Sequence, residues 1–208
     1  KGDIGDMSYE NDYKPHLLEK LEEINPFINT TELAYISDQC ITTYTPFHKI
    51  KTIANEYGDV LEFTYGTDQE RIKTVLKKQG EVVKTTYYIG DYEFEKGIGY
   101  ERQLHYIQGN QWVGIYVKDN RFRKSTKDSM YYIYTDHLGS FDRITNEKGK
   151  LVQSQSFDVW GNRRNPSDWL KKDASGNRLF NRGFTGHEHI DEFQLINMNG
   201  RLYDPVVA

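Results

Sequence analysis

YYIYTDHLGSFDRITNEKGKLVQSQSFDVWG, residues 131–161, decides the fold class. Tyr131–Thr135, Phe141–Thr145 and Leu151–Phe157 are runs rich in aromatic and β-branched residues. Asp136-His137-Leu138-Gly139-Ser140, then Asn146–Gly149, then a stop at Gly161 punctuate them with residue types that turns demand. The pattern predicts consecutive β-hairpins, with Asp136, Gly139, Gly149 and Gly161 as structural turn positions.

Upstream the unit recurs. Lys49-Ile50-Lys51-Thr52-Ile53, Gly58-Asp59-Val60-Leu61 and Thr64-Tyr65 are echoed by Arg71-Ile72-Lys73-Thr74-Val75, Gly80-Glu81-Val82-Val83 and Thr86-Tyr87. Ile50 to Ile72, Gly58 to Gly80 and Tyr65 to Tyr87 are each 22 residues apart. Looser copies are Arg143–Thr145 with Gly149–Val152, and the stretch from Gly109 to Val113. Leu61, Phe63 and Tyr65 alternate with Val60, Glu62 and Thr64, as Val113, Ile115 and Val117 do with their neighbours, so each strand has one apolar and one mixed face. A lone two-stranded hairpin is marginal, so the units must stack into a longer sheet.

Composition agrees. Of 208 residues 14% are aromatic and 28% charged, at a mean hydropathy of −0.79. Disordered polar chains are poor in aromatics, so half-buried strands are indicated. A formal net charge of −4 argues against a nucleic-acid partner, and no apolar run approaches the length of a membrane span. Cys40 is the only cysteine, which excludes an internal disulfide and a thiolate cluster. The start at Lys1, with no signal-like run, is expected of an internal stretch of a longer polypeptide.

Residues 1–43 predict a polar loop, a short helix over Lys14–Glu23 from the spacing of Leu17, Leu18 and Leu21, and an entry strand from Ile36. Residues 44–118 carry the hairpin repeats, and 119–130 a charged loop with Arg121, Arg123, Lys124 and Lys127. Pro166-Ser167-Asp168-Trp169 suggests one helical turn.

Chemistry is sparse. His187, His189 and Asp191 in Gly186-His187-Glu188-His189-Ile190-Asp191 would share one face of a strand, which makes them a metal candidate; the plainer reading is a hydrogen-bonded corner. Asp136, His137 and Ser140 lack the separation and the nucleophile elbow of a hydrolase, and an Asx turn accounts for Asp136 better. No cofactor is expected.

The segments YYIYTDHLGS (131–140), FDVWGN (157–162), RGFTGHEH (182–189) and LINMNGRLYDP (195–205), in that order, resemble the Rhs/YD-repeat family and its C-terminal repeat-associated core. YTPFHKIKTI (44–53) and FTYGTDQERIKTV (63–75) resemble the repeats that precede that core. The resemblance implies a mainly β fold: stacked antiparallel hairpin repeats forming part of a spiralling sheet or shell, with at most one or two short helices. Residues 131–208 would be the core, truncated at its C-terminal end.

It further implies a bacterial polymorphic toxin or wall-associated protein, secreted or at the cell surface. The chain would be a non-enzymatic wall around a C-terminal effector, partnered by the rest of its own polypeptide, with self-association along an exposed edge strand. A carbohydrate- or protein-binding surface module, presenting aromatics to a glycan or surface protein, is the alternative; a metal-dependent enzyme is the third. Family members self-cleave beyond the R-x-YDP motif, here Arg201, Tyr203, Asp204 and Pro205. Arg201 and Asp204 are thus processing-motif residues by resemblance, while the second Asp-Pro segment lies outside residues 1–208. Aspartyl chemistry needs two carboxylates sharing a proton, so no catalytic residue is expected here.

Overall fold

A computed structural model describes residues 7–8, 20–21, 40–109, 112–121, 127–173, 175–176, 178–199 and 201–206. Near the N-terminus β1 (Met7–Ser8) pairs antiparallel with β2 (Lys20–Leu21). Of the expected Lys14–Glu23 helix only Lys20–Leu21 lie within the described residues, and these two are extended; the remainder of that expectation lies outside them.

The body is one antiparallel sheet of eleven strands in strict sequence order. They are β3 (Ile41–Tyr44), β4 (Ile50–Ala54), β5 (Asp59–Tyr65), β6 (Arg71–Lys78), β7 (Glu81–Ile89) and β8 (Tyr92–Gly97). After them come β9 (Tyr100–Gln108), β10 (Trp112–Asp119), β11 (Lys127–Thr135), β12 (Phe141–Asn146) and β13 (Leu151–Ser154). Every neighbour is the preceding or following strand, and β3 and β13 are its two edges.

The turns explain this regularity. At Asn55–Gly58, Asp136–Gly139, Asn146–Gly149 and Asp158–Gly161, the carbonyl of the first residue accepts the glycine N–H at 2.9–3.2 Å. Its side-chain Oδ1 accepts the N–H groups of the third and fifth residues, at 2.8–3.0 Å. Each glycine has φ between +71° and +96°, where a Cβ would be strained. Thr45–His48 builds the same turn with a hydroxyl in place of the carboxamide. The 22-residue echo is only half of this device. Gly58 closes such an Asx turn, whereas Gly80 is the second residue of a tight two-residue turn with Gln79, both at positive φ.

Three expectations are corrected. Lys118 and Asp119 pair with Asp128 and Lys127, so the strands run further into the charged stretch than 119–130 allowed. Lys118 opposite Asp128 is a pair of opposite charges across the ladder, which favours strand over loop there. Pro166–Trp169 forms no helical turn: Asn165 Oδ1 accepts the Ser167 and Asp168 N–H groups and reverses the chain from β14 (Arg164–Asn165) into β15 (Asp168–Lys172). The third run ends at Ser154 rather than Phe157, where the chain leaves the sheet.

Beyond β13 the described residues of 155–206 follow, and Phe180 to Leu195 pack on one face of that sheet. Residues 155–206 hold two three-residue 3-10 turns, Phe184–Gly186 and Asp191–Phe193, and a small sheet of β16 (Glu188–Ile190), β17 (Leu195–Asn197) and β18 (Leu202–Tyr203). Two apolar clusters join this segment to the sheet. Ile53, Leu61, Phe63 and Leu76 pack on Ile190, Phe193 and Leu195; Leu104, Ile115, Val117, Ile133, Phe141 and Ile144 pack on Phe180. No α-helix occurs among the described residues.

Candidate functional site

Between the two apolar clusters the sheet presents charge to the segment. Strands β6 to β9 place Arg71, Thr74, Tyr88, Glu93 and Tyr106 on the covered face, and the segment answers with Asn181, Arg182, Glu188 and Asn197. The pairing is reciprocal: Arg71 of the sheet meets Glu188 of the segment at 2.6 Å, and Arg182 of the segment meets Glu93 of the sheet at 2.9 Å.

Each carboxylate is further saturated. Glu188 Oε1 accepts the Tyr88 hydroxyl at 3.1 Å and the Asn181 amide at 2.9 Å, and Thr74 completes the Tyr88 hydroxyl at 3.2 Å. Glu93 accepts the Tyr106 hydroxyl at 3.1 Å. The guanidiniums of Arg71 and Arg182 stack on the rings of Tyr88 and Tyr106, with 3.9 and 4.6 Å to the centroids.

The electrostatics follow from burial. Desolvation alone would raise the Glu188 carboxyl, but Arg71 and Arg182 outweigh it and hold it below the usual range. Glu93 goes the other way: desolvation, reinforced by nearby Glu188, outweighs Arg182 and raises it. Burial likewise pushes both tyrosines well up, each further raised by its carboxylate partner. The cluster is thus a set of committed partners. A cavity of about 560 Å³ opens beside it, lined by Lys84, Glu95, Tyr100, Arg102, Phe180 and His189.

The residues singled out from the sequence fall around this junction in separate roles. His189 is buried and its Nε2 accepts the Phe184 N–H at 3.0 Å, while His187 is half-buried. Asp191 lies at the surface, where Arg163 and Arg178 bind it at 3.1 and 3.4 Å. The structure does not bring the three together, and among the described residues no group of three or more His, Cys, Asp or Glu is arranged to hold a metal. Between the histidines, Glu188 is the side chain that docks.

Asp136 serves the turn described above, while Ser140 is buried and its Oγ accepts the Thr185 N–H at 3.1 Å. The adjacent Phe141 N–H donates to Gly183 O at 3.0 Å, so this corner is a second anchor for the segment. Gly139 and Gly149 have open space where a Cβ would sit, whereas Gly161 faces Phe184 and Ile196. Near the C-terminus Arg201 is exposed, and Asp204 Oδ1 accepts the Val206 N–H at 2.8 Å. Burial, and after it Asp204, pushes the Cys40 thiol up.

Sequence reasoning missed Arg71, Glu93 and Arg182. The signal was present in the alternation of β8, Tyr92-Glu93-Phe94-Glu95, but the expected sense is reversed: Glu93 is buried and the aromatics lie on the opposite face. There Tyr92, His105 and Tyr116 form a row across β8, β9 and β10 at 4.5 and 6.1 Å between ring centroids, beside stacked Tyr87 and Phe94.

Residues 109–208 match the family described as Teneurin YD-shell. Among solved structures, the TcdB2-TccC3 complex is similar with a TM-score of 0.63 at 13% identity, over 80% of this chain and 9% of that one. TcdB2-TccC3-TEV gives 0.65 at 12%, over 80% and 8%. The Photorhabdus luminescens Tc holotoxin pore gives 0.60 at 14%, over 80% and 8%. At such identities the likeness speaks for the fold, and the chain spans less than a tenth of each solved chain. No curated protein matches. The ordered motifs, the unbroken hairpin sheet and the match over residues 109–208 agree: that stretch is similar to the Teneurin YD-shell family, consistent with the Rhs/YD repeats the sequence resembles.

Proposed function

We propose that this chain is a non-enzymatic stretch of shell wall in a longer, secreted or surface-associated YD-repeat polypeptide, and that the wall houses or presents a C-terminal effector. The observation that carries the reading is the open sheet. Eleven strands run in sequence order to two edges, β3 and β13, that pair with no further strand among the described residues, while one face is braced by residues 155–206. Exposed backbone edges are templates for another strand, and Leu151 and Val152 on β13 are half exposed and apolar. One similar structure is TcdB2-TccC3 without its hypervariable C-terminal region, and a variable C-terminal region in that protein supports the effector part of this reading.

The test is a cryo-EM structure of the full-length polypeptide. We expect further strands hydrogen-bonded to β3 or β13 and a lumen bounded by the continued sheet. A barrel closed by pairing of β3 with β13, or two bare edges in the intact protein, would overturn the reading.

The row of Tyr92, His105 and Tyr116 favours a second reading, a binding module that stacks aromatics on a sugar or partner protein. Under it, oligosaccharides shift the NMR signals of β8 to β10 in the free protein, and a Tyr92→Ala/Tyr116→Ala variant with unchanged fold loses that response. Signals that stay put at millimolar sugar count against it.

A further inference from the structure

We propose that His189 is an acid-sensitive latch, whose protonation detaches residues 181–197 from the sheet while the eleven-stranded sheet stays paired.

The argument starts from the hydrogen bond. His189 Nε2 accepts the Phe184 N–H, so the neutral ring carries its proton on Nδ1. A proton added at Nε2 sets donor against donor. The ring is closely packed on the Gly183 side: a Cβ built on Gly183 would lie 3.0 Å from Nε2 and 2.5 Å from Phe157 Cζ. The Phe157 ring also lies over the imidazole at 5.3 Å. The second obstacle is charge. Arg163 and Arg178 flank His189, each already engaged with Asp191, so an imidazolium would be a third cation around a shared carboxylate. Desolvation first, and those arginines with His187 after it, depress His189 to about 2.

The charged groups around the latch divide by element. On the segment these are Arg163, Arg178, His187, Asp191, Glu188 and Glu192, with Asp173 alongside. From the sheet Arg71, Lys84, Glu95 and Arg102, with Arg121 just beyond β10, face the cavities that His189 borders, and Lys172 of β15 faces a third. The acids among them are bound by arginines, except that Glu192 lies exposed at the rim. The sign follows. A histidine depressed in the docked state contributes stability that is complete above its free value of 6.5 and is lost as pH falls below it. His187, also depressed by burial and Arg182, acts in the same direction. Glu93, raised in the docked state, opposes them at lower pH.

Why the effect is local follows from the contacts. Phe157, Arg163, Arg178, Gly183 and Phe184 all belong to residues 155–206, and the sheet's ladders include none of them. Next to the latch, Glu188 makes the ion pair to Arg71, so displacement of β16 withdraws the key from the sheet.

Hydrogen exchange of the whole chain at pH 7.4 and 5.0, corrected for intrinsic rates, tests the proposal. Opening of β16, β17 and the Phe184 and His189 amides is expected to rise about 30-fold on acidification, with β9 to β11 unchanged. His189→Gln, which keeps an acceptor but does not titrate, should lose most of that rise, while His187→Gln should keep most of it. Equal pH dependence in His189→Gln, or parallel loss of protection in β9 to β11, overturns the proposal. Should His189→Gln not fold, the wild-type comparison of segment against sheet decides by itself: a flat response or a parallel loss overturns it.

Discussion

Glu188→Ala is expected to destabilise the protein by about 3–5 kcal/mol in urea unfolding, the usual cost of leaving one partner of a buried ion pair unmatched. Removing the carboxylate strands Arg71 against the ring of Tyr88 and takes the acceptor from the Tyr88 hydroxyl and the Asn181 amide. All of these sit at the junction of sheet and segment, so the loss should appear as release of residues 155–206. The pair as a whole is worth less than either half suggests, because burying two charges costs nearly what their attraction returns. Arg71→Met combined with Glu188→Leu should therefore recover most of the loss. A double variant as unstable as Glu188→Ala would show that the hydrogen bonds to Glu188, rather than its charge, hold the segment.

Gly161→Val carries the second large effect. At φ +96° any side chain is strained by about 1–2 kcal/mol, and here a Cβ would also lie 2.6 Å from Phe184 Cδ1 and 3.0 Å from Ile196 Cδ1. Overpacking adds about 1–3 kcal/mol, so a total of about 2–5 kcal/mol is expected. Gly149→Val is the control: it has the same turn and a positive φ of +71°, but open space around the new Cβ. Its cost should stay near the strain alone, about 1–2 kcal/mol. Equal midpoints for the two variants would mean that the contact of the Asp158–Gly161 turn with Phe184 carries no weight.

These predictions divide along the line between what was legible in the residues and what was not. Asx-turn chemistry is local: an Asn or Asp oxygen reaches two N–H groups within five residues, and a glycine three positions on takes the positive φ. That made the hairpins of residues 131–161 readable without any partner. Near the N-terminus only Lys20–Leu21 of the expected helix lie within the described residues, and there pairing with Met7–Ser8 takes the place of helix. The His187–His189–Asp191 face failed for a related reason. Alternation holds only along a regular strand, and this one spans just Glu188–Ile190, between two 3-10 turns.

By itself the sequence determined the antiparallel order of the sheet and the turns of residues 131–161, because turn geometry and strand alternation need no information beyond a few neighbouring residues. Tertiary structure alone decided which face of the central strands is buried. In β8 the apolar pattern favours covering Tyr92 and Phe94, yet Glu93 lies inside, since Arg182 arrives from 89 residues away to neutralise it. A buried charge is tolerable only beside its partner, and nothing local to Glu93 announces that partner. The same long-range pairing turned Glu188 from the middle of a metal-like string into the contact that fastens the segment to the wall.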